Sequence, residues 1–222
     1  MTAEAIRDQQ QAPQCPLIQS SLLREQNFGI AEGKPWKARR RPSLSLEENY
    51  AKEIFPALSS RHDKFPQGES LDDLAERAEQ AIHDLLIPYV ATNGNAHIAV
   101  ASHGLFIKEI LSILLRMNAD GVDGPALDQV WRGLRNTAWT RLKIEMRNDL
   151  PGLDITAIAV NQYDHLSTVV SSNPSESRGS NLLSYDKKVV SAVWPMTRSK
   201  ISGISLEEAT RLDIGYCCRY DP

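Results

Sequence analysis

This sequence has little that commits it to a special environment. It holds three cysteines, Cys15, Cys217 and Cys218. Their number is odd and their spacing suits neither a disulfide framework nor a zinc site, which places the chain in a reducing compartment, the cytosol. No apolar run reaches the 18 or so residues a membrane helix needs, and "MTAEAIRDQQQAPQ" has no apolar signal stretch. The formal net charge of −3 gives no reason to expect a nucleic-acid or membrane partner. Aromatics make up only 6%, yet 41% of residues are hydrophobic, enough for a core. No internal repeat interrupts the 222 residues, about the length of one α/β domain or a smaller domain with an appendage.

The pattern present is strands alternating with helices. Residues 1–16 read as a remnant helix or linker, with Ala3, Ala5 and Ile6 to bury. "LIQSSLLREQNFGIAEGKPW" (17–36) mixes a short strand-like run with turns at Gly29 and Gly33, and a basic stretch, "KPWKARRR" (34–41), follows. Ser45 and Glu48 stand in capping-box spacing before a helix over about 46–55. Ser70 caps a second helix, over 70–87. Its Asp72 and Asp73 suit the positive end of the dipole, and Leu74, Ala78, Ile82 and Leu86 share one face. "HIAVAS" is a buried strand and "LFIKEILSILLRM" a buried helix; "GVDGPALDQVWRGL" is a loop with a short helix. "TAWTRLKIEM" and "LDITAIAV" read as strands of an antiparallel hairpin turned at Pro151-Gly152. Beyond residue 170 the pattern fails, and "SSNPSESRGS" opens an irregular or disordered tail, 170–222. The α/β domain is therefore expected over 17–169.

Chemistry concentrates at "SHG", residues 102–104. A strand that ends where a helix begins presents amides and a positive dipole at the sheet's carboxyl edge, where anions bind. Gly104 permits close approach, and His103 is placed to donate to a phosphate oxygen. Glu25 follows a short apolar run, and a carboxyl there, raised by desolvation, suits a general acid. "GESLDDLAER" adds Glu69, Ser70 and Arg77, with Ser70 explained by the cap. The plainer readings are a chain-reversal histidine and a surface glutamate. Of the other histidines, His62 follows Arg61 in "SSRHDKF", with Asp63 where a motif glycine would stand. His83 lies beside the apolar face of its helix, His97 begins a strand, and His165 ends one. These are read as structural or solvated. Lys34 to Arg41 reads as a solvated loop over a pocket mouth, with Trp36 as its cover; the alternatives for such a basic stretch are attraction of a phosphorylated substrate and a nuclear-localisation or nucleic-acid patch.

Four segments in order, "LREQNFGIAEG", "PQGESLDDLAER", "IAVASHGLFIKEIL" and "LRNTAWTRLKI", resemble the histidine phosphatase superfamily, the phosphoglycerate mutase-like proteins. The resemblance implies a three-layer α/β/α sandwich and phosphoryl transfer without metal or other cofactor. A histidine in an Arg-His-Gly motif attacks phosphorus, arginines and a second histidine hold the oxygens, and an acid protonates the leaving alcohol. By that resemblance Glu25 is the acid, His103 the second histidine, and His103 and Gly104 contact phosphate. The partner is a phosphorylated small molecule or phosphoprotein. No Arg-His-Gly occurs among the 222 residues, so the expected fold is an incomplete version of the sandwich with an irregular C-terminal tail.

Two functions follow. One is the acid-bearing part of a protein that hydrolyses or transfers phosphomonoesters through a phosphohistidine, truncated here and inactive alone. The other is a pseudophosphatase, an interaction or phospholigand-binding module. The missing first strand is also expected to leave "HIAVAS" with an unpaired edge, unless a partner or the chain's own tail fills it.

Overall fold

The computed structural model describes residues 2–8, 16–91, 96–118, 134–135, 137–147, 152–164, 192–196 and 210–216. Its main sheet has six strands: β1 (Ile18–Gln19), β4 (His97–Ser102), β5 (Trp139–Met146), β6 (Leu153–Gln162), β7 (Ala192–Met196) and β8 (Thr210–Tyr216). Their spatial order is β1-β7-β4-β8-β5-β6. A second, two-stranded sheet pairs β2 (Trp36–Ala38) in parallel with β3 (Phe55–Pro56).

β4 holds the main sheet together. Its residues alternate between two cores. Ile98 and Val100 join the large cluster with α3 (Leu71–Ala81) and α5 (Gly104–Met117), while Ala99 and Ala101 pack with Ala3 of α1 (Thr2–Asp8). A strand buried on both faces reads as an apolar run, as "HIAVAS" does. Helices therefore cover both sheet faces, an α/β arrangement as expected from the sequence. α5 contributes Phe106, Ile107, Ile110, Leu111 and Leu114, all essentially inaccessible. Each such side chain contributes about 1.5–3 kcal/mol by leaving water.

β4 has neighbours on both edges: antiparallel β7, and parallel β8 in the register His97↔Arg211 to Ser102↔Tyr216. The empty edge expected beside "HIAVAS" is thus occupied by the chain's own C-terminal segment. β8 also pairs antiparallel with β5, so it bridges β4 to the β5–β6 hairpin. The segment beyond 170, read as irregular, supplies these two strands at 192–196 and 210–216.

Local signals explain most of the remainder. Ser45 and Glu48 form a reciprocal capping box at α2 (Leu46–Ala51), which stops four residues short of the expected helix. Ser70 and Asp73 do the same for α3. That helix continues through a π-turn at Ile82–Leu86 into α4 (Ile87–Val90). Pro88 has no N–H to donate and its ring crowds the preceding turn, which accounts for the widening. The hairpin forms with β5 and β6 antiparallel. The short helix expected around 121–134 and His165 lie outside the described residues.

Candidate active site

The site is assembled where β4 ends. Ser102 is buried, and its Oγ donates to the Leu23 carbonyl at 2.6 Å. That bond ties the strand's end to a 3₁₀ turn at Ser21–Leu23. The chain then leaves the turn through Arg24 and reaches Glu25, on a loop rather than at a strand end. His103 is the N-cap residue of α5, extended at φ −118° and ψ 166°, and its side chain does not cap the helix.

The cap comes from Glu25. Its Oε2 accepts from the Leu105 amide at 3.2 Å, and its Oε1 accepts from the Phe106 amide at 3.1 Å and the Gln26 amide at 3.0 Å. A carboxylate at a helix N-terminus satisfies orphan donors and meets the positive end of the dipole. Glu25 is 8% exposed. Burial pushes its carboxyl above the usual range, against the opposing pull of the three amides and of the Arg77 charge. Loss of hydration is the largest of these influences, so the net shift is upward.

His103 is 7% exposed, and its Nδ1 is buried with no hydrogen-bond partner among the described residues. Burial, and secondarily the Arg77 charge, hold its pKa below the ordinary value, so the ring is neutral near pH 7. An orphaned buried ring nitrogen is uncommon and points to a site that takes a ligand. Gly104 is the first residue of α5.

The loop carrying Glu25 is fastened on its far side. The Glu69 amide donates to the Asn27 carbonyl at 2.7 Å, and the Asn27 amide returns a bond to the Glu69 carboxylate at 2.9 Å. Glu69 also pairs with Arg24 at 2.6 Å and Arg77 at 2.9 Å, and these charges lower its pKa against the cost of its own partial burial. Gly29, at φ +57°, and Gly68 let the two backbone segments touch. Beneath them, Phe28, Phe55 and Phe65 form a small separate core with Tyr50 against its edge.

Glu25, His103 and Gly104 thus stand together. The remaining candidates do not join them. His62 is 88% exposed and pairs with Asp72; Arg61, beside it, grips the buried Glu109 at 2.9 Å. His83 is 83% exposed near Asp84, out in solvent rather than beside the apolar face. His97 opens β4. Lys34 pairs with Glu53 at 2.7 Å. Among the described residues no group of three or more His, Cys, Asp or Glu side chains is placed to hold a metal ion, and no helix is long and apolar enough to cross a membrane. Spacing did not disclose that Glu25 caps α5 across 80 positions of sequence; a carboxylate that caps a helix so distant leaves no local signature.

The family model of the histidine phosphatase superfamily, branch 1, matches residues 1–149. The probable phosphoglycerate mutase GpmB of Erwinia tasmaniensis is similar, with 31% identity over 119 residues, 54% of this chain and 49% of that protein. The chain spans about half the length of this curated relative. No solved structure matches it.

Proposed function

The chain belongs to the histidine phosphatase superfamily, branch 1, and from that membership we propose that Glu25 and His103 are the general acid and second histidine of a site that hydrolyses or transfers phosphomonoesters through a phosphohistidine. The observation that carries the reading is a buried carboxyl held by the first amides of α5, beside a buried histidine whose Nδ1 has no partner among the described residues; burial also raises that carboxyl's pKa. The relative named a probable phosphoglycerate mutase supports a phosphorylated small molecule as the substrate class.

The chemistry divides among these residues as follows. A nucleophilic histidine attacks phosphorus, and the bond to the leaving oxygen breaks. Glu25 gives that oxygen its proton, which a carboxyl of ordinary acidity would already have lost. His103 binds a phosphoryl oxygen; the neutral ring takes up a proton as the dianion arrives, since an adjacent anion favours the imidazolium. Glu25, now ionised, then accepts a proton from the water that attacks the phosphohistidine. Domain limits of 17–169, and a soluble, cytosolic setting, belong to the same proposal.

These 222 residues contain no Arg-His-Gly, so the nucleophile is proposed to come from sequence upstream of Met1. The test compares this chain with an upstream-extended form on an aryl phosphate. The extended form should turn over; this chain should not. His103→Ala in the extended form should lower kcat/KM by about 10²–10⁴. Clear turnover by this chain that survives His103→Ala would refute the reading. Binding of inorganic phosphate by both forms, with turnover by neither, would favour the second reading, a phospholigand-binding module.

A further inference from the structure

We propose that Arg77 is a positioning residue of this site: its guanidinium clamps the 22–25 segment so that the Glu25 carboxylate meets the first turn of α5 beside His103. The functional meaning rests on Glu25 being the acid; the clamp itself rests on geometry. Arg77 Nε donates to Glu69 Oε1 at 3.0 Å. Nη2 donates to Glu69 Oε2 at 2.9 Å and to the Glu25 carbonyl at 3.2 Å. Nη1 donates to the carbonyls of Leu22 and Arg24, both at 2.8 Å. A guanidinium has five N–H donors, and these five bonds use all of them.

That tally separates Arg77 from an arginine that holds phosphate. Its side chain is 10% exposed and has no donor left for a phosphoryl oxygen. It binds protein instead: the carbonyls of Leu22 and Arg24, which lead into Glu25, and that of Glu25 itself. Its guanidinium carbon also lies 5.3 Å from the centre of the Phe106 ring, and the Phe106 amide donates to the Glu25 carboxylate. One side chain therefore touches both elements that must meet. Glu69 supplies the counter-charge, held just ahead of the Ser70 cap of the helix that carries Arg77. The ion pair alone joins Arg77 to the residue just before its own helix cap and does not reach the 22–25 segment. The three carbonyls fix the height and direction of the segment from which Glu25 projects.

Arg77→Lys keeps the charge but offers three donors on one point, so it cannot reproduce the fork. In this chain, hydrogen exchange followed by NMR should show the Leu105 and Phe106 amides losing protection by about tenfold. Ile110 and Leu111, deep in the same helix, should keep theirs. Glu25, freed into water, should titrate lower, toward the ordinary carboxylate range. Unchanged exchange at Leu105 and Phe106 with unchanged Glu25 titration overturns the proposal. Glu69→Gln leaves the two Nη1 bonds in place and should give a smaller change of the same sign. It decides the matter by the same readout if Arg77→Lys also exposes Ile110 and Leu111. In the extended form, Arg77→Lys should lower kcat on an alkyl phosphate more than on p-nitrophenyl phosphate, because only the poor leaving group needs the proton. The exchange arm requires no turnover. A failed acid role would instead show as alkyl phosphate turnover that Glu25→Gln leaves unchanged.

Discussion

Replacing Gly29 by Ala is the most exacting check on how the Glu25 loop is built. An added Cβ would sit 2.1 Å from the Pro66 carbonyl oxygen, 2.5 Å from the Gly68 nitrogen and 2.8 Å from the Gln67 carbonyl carbon. All three are backbone atoms, so no side chain can swing aside. Gly29 is also at φ +57°, where an L side chain is strained. Two other glycines separate these effects. Gly33 has φ +68° with nothing within 4 Å of its added Cβ, so Gly33→Ala isolates the backbone strain, about 1 kcal/mol. Gly68 has no left-handed φ, but its Cβ would come 2.8 Å from the Asn27 oxygen, so Gly68→Ala isolates the crowding, about 1–3 kcal/mol. Gly29→Ala suffers both, about 2–4 kcal/mol, or a fall in Tm of about 5–15 °C for a chain of this length. Urea unfolding of the three variants supplies the comparison. Equal losses for Gly29→Ala and Gly33→Ala would refute the close approach of the 27–29 and 66–68 segments. The effect should reach the site as well, since close to that contact the Glu69 amide donates to the Asn27 carbonyl and the Asn27 amide to the Glu69 carboxylate.

Three further outcomes follow from other features. Arg61→Met removes the bidentate partner of Glu109, which is 2% exposed, and should cost about 2–3 kcal/mol in denaturant unfolding, because a buried carboxylate loses its cation while gaining some water. Glu25 holds its proton more tightly folded than unfolded, so its contribution to stability is present below the unfolded value of 4.5 and declines as pH rises through the folded pKa; the pH slope of unfolding free energy should be less negative in Glu25→Gln than in the parent above pH 4.5. Deleting residues 210–222 removes the strand lying between β4 and β5, and should replace a cooperative thermal transition with aggregation detected by light scattering.

How much of this was legible in the sequence depends on the range of the interaction. The caps at Ser45 and Ser70 and the buried strand at 97–102 were readable because their causes lie within a few residues of each other. The hairpin was equally plain, since the alternation of "TRLKIEM" and "LDITAIAV" is broken by Pro151 and Gly152. α2 ended early because Lys52 bonds to Asn49 and Tyr50 carbonyls and Glu53 turns to φ +55°, a local departure that propensity does not register. β8 was missed for a different reason. A parallel strand paired with β4 and an antiparallel partner in β5 is specified by the edges it joins, not by its own pattern. Glu25 and His103 stood out as residues, but the bonds from Glu25 to α5 join positions 80 and 81 apart.

Those bonds give the N-terminus of α5 an unusual balance. The positive end of a helix favours an anion, and two of its first amides already hold the Glu25 carboxylate. If Glu25 is ionised, an approaching phosphate dianion meets a like charge beside His103, and binding is opposed. If Glu25 is protonated, the repulsion vanishes, the site accepts the phosphate, and the carboxyl hydrogen becomes available to an oxygen of the ligand. Phosphate binding and protonation of Glu25 must therefore reinforce each other, because each removes the charge that penalises the other. Burial sets the starting point by raising the carboxyl pKa before any ligand arrives. Arg77 pulls the other way, lowering it, while its five bonds hold the carboxyl in reach of the amides. The clamp thus trades some of the acid's proton affinity for its position. A neutral residue in place of Arg77 would make Glu25 a weaker acid on charge alone, yet would give up the geometry that puts its proton where the leaving oxygen is proposed to stand.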